Sequence, residues 1–122
     1  MSTIKSYRDL SVWQGAMRLA ELVYAAVRDF PRNEQFALSD QLRRAVVSIP
    51  SNIAEGFGRD TKSDFAHFLY MARGSVYEVE TQLELASRLG YLADPQSLNT
   101  AISGLGKQLN ALIAKVKSST HR

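Results

Sequence analysis

The stretch that decides the fold is Ser48-Ile49-Pro50-Ser51-Asn52-Ile53-Ala54-Glu55-Gly56-Phe57-Gly58-Arg59. It places a proline and two glycines in a segment whose apolar residues otherwise recur with the spacing of an amphipathic helix. Pro50 has no N–H to donate to the carbonyl of Val46, and its ring presses on that carbonyl, at a typical cost of ~3 kcal/mol. The pattern favours a continuous helix kinked near Pro50 over a break, with subunit packing offsetting the cost.

Three further segments show helical periodicity, and no segment shows the two-residue period of a strand. Thr61 and Asp94-Pro95 are typical helix starts, and Gly90 is a typical residue just beyond a helix end. The 122 residues therefore predict one all-α domain over 1–122, an antiparallel up-down-up-down four-helix bundle with helix 2 kinked near Pro50. The predicted helices span approximately residues 11–30, 34–57, 61–89 and 95–118.

The composition excludes several classes of protein. There is no cysteine, so neither a disulfide framework nor thiolate chemistry is expected. No apolar run approaches the ~20 residues that a membrane span needs, and the N-terminus lacks the apolar region of a signal peptide. We therefore predict a cytoplasmic protein with no membrane partner. The net charge of +3 is mildly basic.

The first two helices have more apolar surface than one core requires. Beyond its core stripe, each helix carries further apolar residues that a four-helix monomer would leave exposed, and such patches usually mark association. The chain is therefore predicted to form a homo-oligomer. The candidate interface residues are Trp13, Met17, Tyr24, Val47 and Phe57.

No arrangement of residues predicts an enzyme. A carboxylate-bridged metal pair in a four-helix bundle needs two Glu-x-x-His elements. The chain has only the related Asp64-Phe65-Ala66-His67, and its other histidine is His121. Gly56-Phe57-Gly58 follows no strand and lacks the lysine of a phosphate loop, which favours a flexible link between helices 2 and 3. We expect no catalytic residue, no metal and no cofactor.

Two polar groupings remain. One is the kink itself with a predicted polar clamp, in which Arg73 pairs with Glu55 or Glu78 and ties helix 2 to helix 3 or one subunit to the next. The alternative is a ligand-binding notch at the kink, and either would involve Pro50, Asn52, Glu55, Arg73 and Glu78. The second grouping is basic and could contact phosphates, although such residues usually form a solvated face. Its members are Arg43, Arg44, Arg59, Lys107, Lys115 and Lys117.

Three motifs resemble a known family. They are Tyr7-Arg8-Asp9-Leu10-Ser11-Val12-Trp13-Gln14; Gln41-Leu42-Arg43-Arg44-Ala45 running into Ser48-Ile49-Pro50-Ser51-Asn52-Ile53-Ala54-Glu55-Gly56; and Ala72-Arg73-Gly74-Ser75-Val76-Tyr77-Glu78-Val79-Glu80-Thr81-Gln82-Leu83 followed by Arg88-Leu89-Gly90-Tyr91. Together they resemble bacterial four-helix-bundle proteins related to those encoded in intervening sequences of 23S ribosomal RNA genes. The resemblance implies a ring-shaped homopentamer. It also implies kinship with the accessory protein of diversity-generating retroelements, a basic, nucleic-acid-binding partner of a reverse transcriptase. It brings no catalytic residues.

Two functions follow as hypotheses. The first is a non-enzymatic oligomer that presents a basic surface to RNA or DNA, since a pentamer of +3 subunits would carry roughly +15. The alternative is a protein-interaction scaffold, with another protein as partner and no nucleic-acid role.

Overall fold

The computed structural model describes residues 4–119 of the chain as a four-helix bundle. The first helix packs against the second and fourth, and the third packs against the same two, so the helices occupy the corners of a square. The described residues contain no strand, and the predicted all-α bundle is confirmed. The helices are α1 (Ser11–Val27), α2 (Leu38–Phe57), α3 (Lys62–Arg88) and α4 (Pro95–Ser119), with 3-10 helices at Tyr7–Asp9 and Arg32–Glu34.

The connection between α1 and α2 is longer than predicted. α1 ends at Val27 instead of residue 30, because the N–H groups of Asp29 and Phe30 bond three residues back in a turn. α2 begins at Leu38 instead of residue 34, because Arg32–Glu34 form a separate 3-10 turn. The bounds of α3 and α4 lie within one residue of the prediction.

The predicted start and end residues of α3 and α4 have the expected geometry. The Thr61 hydroxyl accepts from the N–H of Asp64 at 3.0 Å. Gly90 has a φ of +78°, a left-handed conformation that glycine adopts without strain. The N–H of Tyr91 then reaches back to the carbonyl of Ala86 at 2.9 Å, which closes the end of α3.

A single apolar core runs the length of the bundle, and every helix contributes one buried stripe to it. Its members recur three or four residues apart, as the periodicity predicts. The largest fully buried side chains are Leu19, Val23, Leu42, Val46, Ile49, Ile53, Leu69, Val76, Val79, Leu83 and Leu109.

α2 runs through Pro50 without a break, and Pro50 itself is buried. Polar side chains around it bond to the backbone. The Ser48 hydroxyl lies 2.6 Å from the carbonyl oxygen of Ala45, and the Asn52 amide donates to the carbonyl of Ser48 at 2.8 Å. The Ser48 hydroxyl also lies 2.6 Å from the hydroxyl of Ser75, so the proline turn is tied directly to α3.

Gly56 is not part of a flexible link, contrary to the sequence-based expectation. It lies buried in the last turn of α2, where a Cβ atom would stand 2.6 Å from Cβ of Phe68 and 3.3 Å from the carbonyl oxygen of Phe65. Glycine is therefore required here because α2 and α3 approach each other closely.

Replacing Gly56 with alanine should destabilise the protein. Replacing a glycine inside a helix with alanine normally stabilises a protein. Here, however, Cβ of Phe68 is fixed to the α3 backbone, so it can move away from the added Cβ only if α3 itself moves. We expect Gly56→Ala to lower the free energy of unfolding by about 1–3 kcal/mol in a denaturant titration. Gly74→Ala is the matched control: Gly74 is exposed in α3 with no atom within 4 Å of a Cβ. It should gain about 0.5–1 kcal/mol. Equal effects of the two changes would contradict the close approach at Gly56.

Asp94 should make the start of α4 sensitive to acid. Hydrogen bonds from the hydroxyl and the backbone N–H of Ser97 lower the pKa of Asp94 from 3.8. Because the pKa of Asp94 is lower in the folded than in the unfolded protein, the ionised carboxylate stabilises the fold at pH values above the unfolded-state pKa. This stabilisation is lost as the pH falls through the folded-state pKa. Asp94→Ala should therefore lower the melting temperature at neutral pH, with a gap that narrows well below pH 3.8. Asp60→Ala, at an exposed residue that precedes the N-cap of α3, is the control with little effect. A gap independent of pH would rule out the carboxylate cap.

Candidate functional site

Basic side chains gather at both ends of the bundle. We call the end where α2 stops and α3 starts the α2–α3 end; it also holds the beginning of α1 and the end of α4. The opposite end, where α1 stops and α2 starts, is the α1–α2 end. The six basic candidates do not form one continuous surface. Arg59, Lys115 and Lys117 lie at the α2–α3 end, Arg43 and Arg44 lie in the first half of α2, and Lys107 lies midway along α4.

At the α2–α3 end, Arg59 lies against an aromatic ring. Its guanidinium carbon is 4.7 Å from the ring centre of Phe68, and its NH2 group is 3.0 Å from the Glu55 carboxylate. Both members of the ion pair are about half exposed, so the pair is screened and contributes little stability. The stacked position holds the guanidinium at the surface, where 45% of the side chain is exposed.

A second aromatic side chain at this end carries two cations. The ring centre of Tyr70 is 4.9 Å from the guanidinium carbon of Arg73 and 5.5 Å from the ammonium nitrogen of Lys117. Arg73 also donates to the side-chain oxygen of Asn110 at 3.2 Å, so this cluster joins α3 to α4. Cation–ring contacts of this kind orient the charges without neutralising them.

A third such cluster lies at the beginning of α1. The guanidinium carbon of Arg8 is 5.3 Å from the ring centre of Tyr7 and 5.6 Å from that of Trp13. The two rings pack edge to face at 5.2 Å. The sequence did not identify Arg8 as a candidate. The aromatic residues Tyr7 and Trp13, close to it at the start of an amphipathic helix, were the one feature that could have indicated a cation site there.

The remaining basic candidates lie elsewhere or contact other groups. Lys115 is exposed near the end of α4, whereas Lys107 lies ten residues before Lys117, about 15 Å along the helix. Arg43 and Arg44 belong to the other half of α2. Arg43 donates to the carbonyl of Gln35 at 3.2 Å, and Arg44 pairs with Asp40 at 3.1 Å.

The side chains of the predicted polar clamp between α2 and α3 have other partners than predicted. Glu55 pairs with Arg59 one turn away, and Glu78 lies 3.5 Å from the amide of Gln82 on its own helix. Arg73 bonds to Asn110 on α4 instead of either carboxylate. The predicted pairing is therefore wrong because Arg73 lies on the side of α3 that faces α4. The bond between α2 and α3 is made by Ser48 and Ser75.

Three of the five candidate interface residues are substantially exposed. Met17, Tyr24 and Val47 expose 39%, 42% and 41% of their surface. Tyr24 and Val47 line one shallow depression between α1 and α2, whose other lining residues are the polar Asp40, Arg43, Arg44, Ser48 and Ser51. Met17 lies two turns before Tyr24 on the same side of α1, so the three apolar residues form a strip. Trp13 and Phe57 are half-buried. Phe57 packs edge to face on Phe65 at 5.9 Å.

Other exposed apolar side chains were not predicted. Phe36, in the turn before α2, is 88% exposed, and it lies outside any periodic pattern that would have marked it. Further examples on the outer face of α3 are Tyr77, Leu85 and Leu89.

Metal ligands do not converge within residues 4–119, where no three His, Cys, Asp or Glu side chains could hold one ion. His67 is exposed beside the ring of Phe68. His121 lies outside the described residues. No helix in this part of the chain is both long and apolar enough to cross a membrane.

Comparisons with known proteins agree with this architecture. A family model described as 23S rRNA-intervening sequence protein matches residues 8–111, most of the chain. A crystal structure from Bacteroides thetaiotaomicron, of a protein with unknown function from the S23 ribosomal protein family, superposes with a TM-score of 0.78. The two sequences are 25% identical, and the match covers 84% of this chain and 95% of the other. No curated protein matched the chain at a significant level.

Proposed function

The chain belongs to the 23S rRNA-intervening sequence protein family, and from that premise we propose that it is a non-enzymatic homo-oligomer that binds RNA or DNA through its α2–α3 end. The observation that carries the proposal is the set of cations held over aromatic rings at this end, namely Arg59 on Phe68, Arg73 and Lys117 on Tyr70, and Arg8 on Tyr7 and Trp13. A cytoplasmic location is part of the same proposal.

Cations can bind the phosphates of a nucleic acid, and flat aromatic or guanidinium groups can stack on its bases. Lysine and arginine neutralise phosphates and release counterions, which gives affinity without sequence preference. Exposed aromatic and guanidinium planes stack on unpaired bases. Lys62 and Lys115 add exposed positive charge at the same end. The guanidinium groups at the α2–α3 end therefore offer both kinds of contact, and the half-buried rings beneath them hold them in place.

Self-association would multiply these contacts. The strip of Met17, Tyr24 and Val47 is the surface we assign to a second copy of the chain, because it lies on one face of α1 and α2. The pentamer follows from the family resemblance. Several identical basic ends in one ring would bind a long nucleic acid by avidity, although each contact is weak.

Neutralising the α2–α3 end should weaken nucleic-acid binding and reduce its salt dependence. The variant Arg59→Gln/Lys62→Gln removes two charges from this end of every subunit. Titration of structured RNA and duplex DNA at several salt concentrations should show weaker binding, with the slope of log affinity against log salt lower by about 1–2 per subunit engaged.

The matched control is Arg18→Gln/Lys107→Gln, which removes the same charge from exposed residues midway along α1 and α4 that belong to none of the three cation–ring clusters. It should bind nearly as the wild type does. Equal losses in the two variants would contradict the site. Absence of binding by the wild type at low salt would contradict nucleic-acid binding altogether and favour the alternative, a protein-interaction scaffold, which a pull-down after nuclease treatment would test.

Light scattering should give a mass well above the 13.6 kDa of one chain, and roughly 68 kDa for five chains. Placing charge in the apolar strip with Tyr24→Lys/Val47→Lys should shift the mass toward the monomer, because Arg43 and Arg44 line the same depression and the added ammonium groups would be buried beside like charges. Leu85→Lys, at a comparably exposed residue on α3, should leave the mass unchanged. A monomeric wild type, or dissociation by the control, would contradict the assigned interface.

A further inference from the structure

Three arginines meet around a cavity at the α1–α2 end. Arg28, Arg32 and Arg43 line a space of about 260 Å³ between the end of α1 and the first turns of α2. The other lining residues are Val27, Phe30, Pro31, Gln35 and Ser39, so the described wall contains no carboxylate. Three positive charges without a nearby negative one create a site that attracts an anion.

The neighbouring carboxylates are all directed elsewhere. The Glu34 carboxylate accepts from the N–H of Leu38 at 3.3 Å and from the Tyr91 hydroxyl at 2.9 Å, a bond that raises the pKa of Tyr91. Asp40 pairs with Arg44. Asp29, next to Arg28 in sequence, lines a separate, largely apolar cavity beside the start of α4. None of these carboxylates lines the arginine cavity.

A buried hydroxyl faces the same space. Ser39 is only 3% exposed and lines the cavity. A serine hydroxyl in this position can donate its proton to an acceptor oxygen in the cavity.

Arg43, which belongs to α2, is the arginine that a hydrogen bond holds in place. Arg43 donates one N–H to the carbonyl of Gln35 at 3.2 Å, which orients the guanidinium plane and leaves other N–H groups available. Arg28 and Arg32 are exposed and can close over a ligand from the turn. Guanidinium groups match the geometry of phosphate oxygens and bind them in pairs.

We infer that this cavity is a binding site for a phosphate group, held by Arg28, Arg32 and Arg43 and by the hydroxyl of Ser39. Phosphate fits better than carboxylate because it offers more acceptor oxygens and nearly two negative charges to three cations. At about 30 Å³ for each water, the cavity holds roughly eight water-sized groups, so part of a molecule attached to the phosphate also fits.

The site is separate from the proposed nucleic-acid surface. The two lie at opposite ends of α2, whose 20 residues span about 30 Å. Phosphate binding here does not depend on nucleic-acid binding at the α2–α3 end, and either can fail alone.

Calorimetric titrations with inorganic phosphate and with adenosine 5′-monophosphate, at constant ionic strength, test the inference. We expect saturable binding of at least one of them and none of adenosine. The variant Arg28→Gln/Arg32→Gln, which leaves α2 unchanged, should bind at least about tenfold more weakly. The control Arg44→Gln/Arg88→Gln removes the same charge from two exposed residues outside the cavity and should change the affinity less than about twofold. Ser39→Ala should give a smaller loss than the double arginine variant.

The ligands distinguish the source of the phosphate. Tighter binding of inorganic phosphate indicates a free anion as ligand, and tighter binding of the nucleotide indicates a phosphorylated molecule. A 5′-phosphorylated oligonucleotide that binds more tightly than its 5′-hydroxyl form, with the difference lost in Arg28→Gln/Arg32→Gln, indicates a strand end. Equal loss in the cavity variant and the control, or no saturable binding by the wild type, would overturn the site.

Discussion

The contact between α2 and α3 is the constraint on which the other features depend. Two short stretches of α2 produce it. At Pro50 the helix loses a backbone hydrogen bond, and Ser48 links this turn to Ser75 of α3. Near the end of α2, Gly56 allows the side chains of Phe65 and Phe68 to lie directly against the backbone. The features that weaken α2 as an isolated helix are thus the same ones that let it pack closely in the bundle, which accounts for a proline and a glycine in a buried helix.

This close contact also arranges the charged surface at that end. Because Phe68 lies against Gly56, its outer face is available to Arg59 immediately beyond α2. Two residues further along α3, on the side that faces α4, Tyr70 contacts cations from α3 and α4. Aromatic side chains here have two functions, since one face contributes to packing and the other orients a positive charge. The basic residues are therefore positioned by the core, although none of them belongs to it.

At the opposite end, the arrangement of charge depends on a turn instead of a helix contact. The break between Val27 and Leu38 contains a 3-10 turn that places Arg32 beside Arg28 and Arg43. The same turn directs Glu34 toward Tyr91 at the end of α3. A regular helix starting at residue 34 would not separate the acidic and basic side chains in this way. The arginine cavity thus results from the connection between α1 and α2, where the helix bounds predicted from periodicity differ most from those of the structure.

The sequence by itself determined the four helices, the core stripes and the local caps at Thr61, Gly90 and Asp94, because these depend on residues within a few positions of one another. It also indicated the apolar strip and the family. Only the tertiary structure decided that Arg73 bonds to Asn110, that Gly56 is a close-packing site, and that Arg28 and Arg32 join Arg43 around a cavity. Each of these contacts joins different elements, so it depends on how far one helix is rotated and shifted against another. Periodicity gives the buried face of a helix, but it does not give that rotation to within the width of one side chain.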